Sequence, residues 1–486
     1  MLSKRYKIFA FIVITMWTLF LIYVFGIEEK IFTKQTIDIS KMGNISGLVS
    51  GGEEYLGVYF QERLIGYLFN KTERIGEKVV IHHQSELNLS VQGSVRKINI
   101  DGSAELSKEM LLNNFYFKIT TENQDFVVTG KSDGKRLRIK SNLAGFKEIE
   151  VDNGSPVFLD VNLNRYIARR ILQSTHTRVF VFKILSLEEM NVGNVEVEFV
   201  GNERIRIMDE EVYAYHLKKR YKNFRVDTWI DINGKTLKER NEMGFVLLRE
   251  QPDRRKMKFS ALDIVNQFSI YPDKSIPDIF SIGSISFRLS GVEFEGLLDG
   301  GRQRYKDGIL TITSERIEKR EERLSKEELE RYKSPEAFVQ SDSEEVMALA
   351  KKITEGSRDE LDALERINDY LFANIKKKNI IGIPDAANTL KNMEGDCNEH
   401  AVFFVALARA LGIPARIVGG VAYLNGRFYY HAWVEAYLDG WRSYDPTWGE
   451  SPADVGHIRL VSGGIDKILD IAKYIGKLKI EVIEWK

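Results

Sequence analysis

Cysteine is nearly absent from this chain: Cys397 is the only one in 486 residues. That excludes an intramolecular disulfide and any multi-cysteine metal site, and leaves the thiol either a packing role or a reactive one. A charge excess of either sign is missing as well. Lys+Arg and Asp+Glu both number 70, so the net charge is zero. A general nucleic-acid binder would carry a basic excess, so no nucleic-acid partner is expected. What the chain does hold is apolar and aromatic material, 43% hydrophobic residues with 27 Phe and 20 Tyr, which is enough to build cores and suits β structure. The length exceeds what one ordinary core supports, so two or three domains are expected.

Near the N-terminus, Lys4, Arg5 and Lys7 precede an uncharged run from Ile8 to Ile27, and Glu28 and Glu29 follow it directly. The run has about the length that spans a bilayer as a helix. Basic residues before it and acidic residues after it put the N-terminus in the cytoplasm and the bulk of the chain outside. The alternative, a cleaved signal peptide, would have a shorter apolar region ending in small residues. Here the run ends Leu21-Ile22-Tyr23-Val24-Phe25-Gly26-Ile27, and Trp17 and Tyr23 suit an anchor. The expected division is a cytoplasmic stub over 1–7, a transmembrane anchor over 8–27, a β-rich extracytoplasmic region over 28–315, a charged linker over 316–334 and a C-terminal domain over 335–486.

Residues from about 45 to 315 read as strands. Val91 to Ile100, Phe115 to Thr121 and Phe126 to Thr129 alternate or run β-branched, and Val195 to Val200, Val212 to Lys218, Arg225 to Ile232 and Phe245 to Leu248 form a second set. Asp101-Gly102, Asp133-Gly134 and Asn233-Gly234 are hairpin-type pairs. One helix is expected from Asp160 to Leu172. The pattern predicts one curved antiparallel sheet, or two, as a structural or docking module. His82-His83 has no third ligand in register, so no metal is expected there.

The C-terminal domain opens with two amphipathic helices, from about Glu344 to Thr354 and from Asp359 to Lys377. Then comes Gly395-Asp396-Cys397-Asn398-Glu399-His400-Ala401, followed by an apolar segment that Gly412 and Pro414 close. Asp396 and Glu399 have capping-box spacing, which puts Cys397 at the first helical position, where free N–H groups and the helix dipole favour a thiolate. A buried strand from Ala415 to Tyr423 follows. Asn425-Gly426 turns the chain into Phe428 to Tyr437, and Leu438-Asp439-Gly440 turns it again into Trp441 to Asp445. A thiol at a helix start, His431 on one strand and Asp445 on the next are the parts of a nucleophile, base and orienter set. The register decides whether they meet. A two-residue Asp439-Gly440 turn turns Asp445 away from His431; a three-residue loop with Gly440 left-handed pairs Tyr437 with Trp441 and makes Asp445 the same-face diagonal neighbour of His431. His400 reads as a packed or hydrogen-bonded residue, His457 as either a cleft-lining residue or a turn cap, and Trp433, Trp441 and Trp448 as cleft wall or core.

These stretches resemble the transglutaminase-like superfamily, whose core is papain-like. The matching blocks are Gly395 to Ala401, Ala408 to Arg416, Phe428 to Glu435 and Tyr444-Asp445-Pro446-Thr447-Trp448, with Ala453 to Ile458 similar to a common ending in the bacterial branch. The resemblance spans roughly 335–485 and implies Cys397 as nucleophile, His431 as base and Asp445 as its orienter. The family's calcium sites do not map onto this chain, so no cofactor or metal is implied. The expected fold is α+β: an N-terminal transmembrane helix, a large antiparallel β-rich domain and a C-terminal papain-like transglutaminase-like domain. The expected activity is acyl transfer from a protein or peptide amide through a thioester, resolved by water (a cysteine protease or amidase) or by an amine (a transglutaminase). The oxyanion would be held by the Cys397 N–H and one further donor. The reading from another class is an idle triad in a domain that serves binding or assembly in the cell envelope.

Overall fold

The structure is a computed structural model. It describes residues 35–36 and 51–486, apart from 92–93, 108–111, 123–124, 134–135, 143–144, 151–156, 174–177, 187–190, 222–223, 252–258, 295–297, 316–322 and 381–382. The apolar run at 8–27 lies outside the described residues. Among the described residues no helix is long and apolar enough to cross a membrane.

The chain is β-rich with a few helices. The first region is one 17-stranded sheet rather than two sheets. Most pairings are antiparallel; Gln35–Thr36 and Val157–Phe158 each run parallel to Val179–Ser186, and Leu262–Asp263 runs parallel to Lys78–Val91. Alternation sets the buried face. In Arg136–Ser141 every second residue is buried, so Leu137 and Ile139 point into the core while Arg136, Arg138 and Lys140 stay in water. The helix Asp160–Gln173 packs its Leu163, Tyr166 and Ile167 into a core shared by both halves of the sheet, with Ile81 and Phe115 from one and Phe180 and Leu217 from the other.

Two local expectations are corrected. Val91 to Ile100 is not one strand: Lys78–Val91 and Ser94–Leu106 pair antiparallel, with Val91 opposite Ser94. Asp101-Gly102 is not a turn but lies mid-strand, with Gly102 opposite both His83 and Phe117. The Phe117 ring lies over this glycine, and a Cβ there would meet Phe117 Cδ1 at 2.4 Å. Glycine is present for close approach, a reason that local turn statistics do not encode. The adjacent histidines diverge, as strand neighbours must. His83 is buried with Nδ1 2.8 Å from Asn70 Oδ1, while His82 lies exposed near Glu73.

The C-terminal part is built on a four-stranded sheet in the order Trp441–Tyr444, Arg427–Tyr437, Ala415–Leu424, His457–Gly463. Helices Glu344–Ile353, Glu360–Asn374, Ala386–Asn392 and Cys397–Ala410 share one core with it. A second four-stranded sheet shares another core with it and joins distant segments: Ser284–Ser290, Gln303–Lys306 and Ile309–Thr313 with the terminal strand Lys479–Trp485. The segment before the charged run thus pairs with the end of the chain. Within that run, Lys326–Lys333 is a helix capped by Ser325 and Glu328.

Candidate active site

Local signals place the thiol. Asp396 is the N-cap of Cys397–Ala410, and Glu399 completes a capping box, its carboxylate 2.9 Å from the Asp396 N–H. Cys397 therefore starts the helix, half-buried, while Val402 to Ala408 behind it are almost wholly buried and anchor its position. The backbone N–H of Ala432 favours the charged sulfur of Cys397. Burial pushes the thiol well above its ordinary range, and the Asp396 carboxylate adds to this; the Ala432 N–H works against them. The expectation of a thiolate favoured by the helix start is thus opposed by burial and by the acidic cap itself.

The neighbouring strand residue, His431, faces Asp445. Tyr437 pairs with Trp441 and Val434 with Tyr444, which is the three-residue register. Gly440 is not left-handed, however; Leu438 N–H bonds Gly440 O at 3.2 Å and closes the loop without a positive φ. His431 Nε2 lies 2.8 Å from Asp445 Oδ2. A neutral imidazole that donates from Nε2 keeps the Nδ1 lone pair free to take a proton. The Trp448 ring stacks on His431 with centroids 4.5 Å apart. Asp445 is completely buried, and its other oxygen accepts from the N–H groups of Thr447 at 2.8 Å and Trp448 at 3.2 Å. Burial opposes ionisation there, but His431 and His457 outweigh it and hold the carboxyl well below the usual range.

Residues 347–446 match the family model of the transglutaminase-like superfamily core. The chain carries a transglutaminase-like domain. No curated protein matches the sequence. Among solved structures, similar chains include a β-barrel-like protein of a domain of unknown function from Brucella abortus (8% identity, TM-score 0.34, covering 42% of this chain and 97% of that one). Others are a provisionally named cysteine protease from Cytophaga hutchinsonii (20%, 0.28, 42% and 86%) and a DUF1089-family protein from Pseudomonas aeruginosa (10%, 0.25, 35% and 87%).

Around the transglutaminase-like domain lie residues that sequence reasoning undervalued. His457 falls past the matched span, yet its Nε2 is 3.2 Å from Asp445 Oδ2 and its Nδ1 3.0 Å from Asp454 Oδ1. The Asp454-x-x-His457 spacing and the Ala453 to Ile458 block were its signals in the sequence, and they left cleft and turn equally open. Arg302, far upstream, donates to the carbonyls of Ala453 and His457 and so holds this loop. Glu315 accepts from the Ser443 N–H and hydroxyl, two residues before Asp445. His400 is fully buried with Nδ1 2.6 Å from the Asp396 carbonyl. Trp433 and Trp441 are buried, while half-buried Trp448 is the tryptophan that covers His431. A cavity of about 520 Å³ opens beside Trp448, lined by the carboxylates of Glu365, Asp369, Glu450 and Asp454 and by the exposed Phe280. Burial pushes Glu450 up to about 7. Among the described residues, two sets have ligand atoms close enough to share a cation: His431, Asp445 and His457, and Glu450, Asp454 and His457. At hydrogen-bond distance, His431 already faces Asp445, and His457 faces Asp445 and Asp454.

Proposed function

We propose that this protein is a thiol acyl-transfer enzyme acting on protein or peptide amides, with Cys397 as nucleophile, His431 as base and Asp445 as orienter. One observation carries the reading. His431 is held at 2.8 Å by the fully buried Asp445 carboxylate, and its strand neighbour Ala432 turns a backbone N–H that favours the Cys397 thiolate. Because the thiol is pushed up, it is neutral at rest. The S–H proton passes to His431 Nδ1 as sulfur attacks the amide carbonyl, forming the C–S bond. The imidazolium then gives that proton to the leaving nitrogen as the C–N bond breaks, which leaves a thioester. Water or an amine, deprotonated by His431, resolves it and releases the thiol. Water is the default acceptor, so hydrolysis is the first expectation. The carboxylate-lined cavity beside Trp448 supports the other branch, since it suits a cationic group such as a protonated lysine. The same proposal keeps the enzyme on the outer face of a membrane, anchored through Ile8 to Ile27, on the strength of the flanking charges.

The experiment is incubation of the full chain, in detergent micelles, with a denatured protein substrate and a labelled amine. Mass spectrometry follows acyl adducts on Cys397, cleavage products and incorporated label. A Cys397 adduct with cleavage supports a hydrolase, and label on glutamine supports a transglutaminase. No adduct and no product would leave the idle binding module, which the raised thiol favours.

A further inference from the structure

We propose that His457 is a positioning residue that, as a buried imidazolium, shares the Asp445 carboxylate with His431 and thereby sets the pH at which Cys397 reacts. The inference rests on His431 acting as the base of Cys397. The geometry begins with a count of protons. His457 has no exposed surface. Both ring nitrogens face carboxylate oxygens, Nε2 at 3.2 Å from Asp445 and Nδ1 at 3.0 Å from Asp454, with Glu450 at 3.9 Å. Ionised carboxylates only accept, so both nitrogens must carry hydrogen, and an imidazole with two N–H groups is a cation. The charges agree. Burial works against the cation, yet the bonds to Asp445 and Asp454 push His457 up to about 9. Asp454 is held low despite its burial, while Glu450 is the carboxyl free to hold a proton.

The surroundings keep this charge in place. Rings of Trp433 and Trp448 lie 5.2 Å from His457 and that of His431 5.8 Å away. Arg302 bonds the His457 carbonyl and lowers Asp454. His457 approaches the same oxygen, Asp445 Oδ2, that holds His431. A carboxylate already neutralised by one imidazolium stabilises a second one less. His431 is therefore a weaker base than a lone His–Asp pair would supply. This matches a thiol that is neutral at rest and gives up its proton only during attack.

Asp454→Asn tests this with the least disturbance, because neutral His457 can still donate from Nε2 to Asp445. Freed of competition, Asp445 favours the His431 imidazolium, and the midpoint of Cys397 alkylation against pH falls by about one unit. His457→Gln moves the midpoint the same way. A packing role alone would scale the rate at every pH and leave the midpoint still. An unmoved or raised midpoint in folded Asp454→Asn overturns the inference. The wild-type chain offers a direct reading that needs no variant: ¹⁵N-histidine spectra at pH 8 should show both His457 nitrogens protonated, and a single protonated nitrogen overturns it. His431→Ala separates the two failures. If it leaves alkylation unchanged, the proposed function has failed and this inference with it. If it slows alkylation while Asp454→Asn leaves the midpoint in place, only the role of His457 is wrong.

Discussion

The two regions of this molecule handle buried polarity differently. In the large sheet the deep positions are mostly apolar, such as Val79, Leu106, Ile139 and Phe180, and many ion pairs sit in water, such as Arg204 with Glu211. Around the candidate site, ionisable groups go inside: Glu399, His400, Arg409, Glu435, Asp445, His457 and Arg459 are all buried. Burying a charge is costly unless it is paired, so such networks add little net stability. What they supply is geometry. Glu435 accepts from Arg416 at 2.8 Å and from Arg459 at 3.0 Å, and Arg459 also reaches the carbonyls of Asp299 and Gly300. The network ties the central strands of the site sheet to the upstream segment. The comparison teaches that one region is held by area and the other by direction.

The sharpest way to break that comparison is at the base. His431→Ala should lower amide turnover by about 10²–10⁴-fold while leaving the unfolding midpoint of the large sheet unchanged; equal activity would remove His431 from the mechanism. Next is the network itself. Glu435→Ala leaves Arg459 and Arg416 without their shared anion and should cost about 3–5 kcal/mol, read by denaturant unfolding. Acid probes the same carboxylate. Burial would raise Glu435, but Arg459 and Arg416 hold it at about 2. A lowered carboxylate stabilises above its unfolded pKa of about 4.3 and loses that contribution as pH falls through the folded value. The C-terminal region should therefore weaken between about pH 4 and 2, and Glu435→Gln should flatten that slope.

The large sheet is tested by overpacking. Gly102→Ala drives a methyl into Phe117 and should cost about 1–3 kcal/mol, with Cys397 alkylation unaffected. A change at the thiol would show that the regions are energetically coupled. The smallest effect is expected from Ser443→Ala, which removes one of the bonds on Glu315 and should cost about 1 kcal/mol.

Legibility in the sequence follows the same division. The cap on the cysteine helix was readable because Asp396 and Glu399 act on backbone within one turn. Strand alternation reduced the His431–Asp445 meeting to a choice between two loop lengths, and the structure shows the three-residue register. The loop conformation was not: Gly440 closes it without a left-handed φ. In the large sheet alternation pointed to strands, but the Asp101-Gly102 turn signal misread Gly102, whose partner Phe117 arrives from another strand. The residue type says only that a Cβ is missing there, not why.

The sequence by itself determined the parts and their local aim: one thiol at a helix start, a histidine and an aspartate on adjoining strands, and the apolar runs behind them. These follow from caps, periodicity and turn length, which act over a few residues. Only the tertiary structure decided that Asp445 serves two histidines, that Arg302 and Glu315 reach the site from far upstream, and that Ser284–Ser290 pairs with Lys479–Trp485. Such contacts depend on which buried surfaces meet once the chain has closed, and no short stretch carries that information.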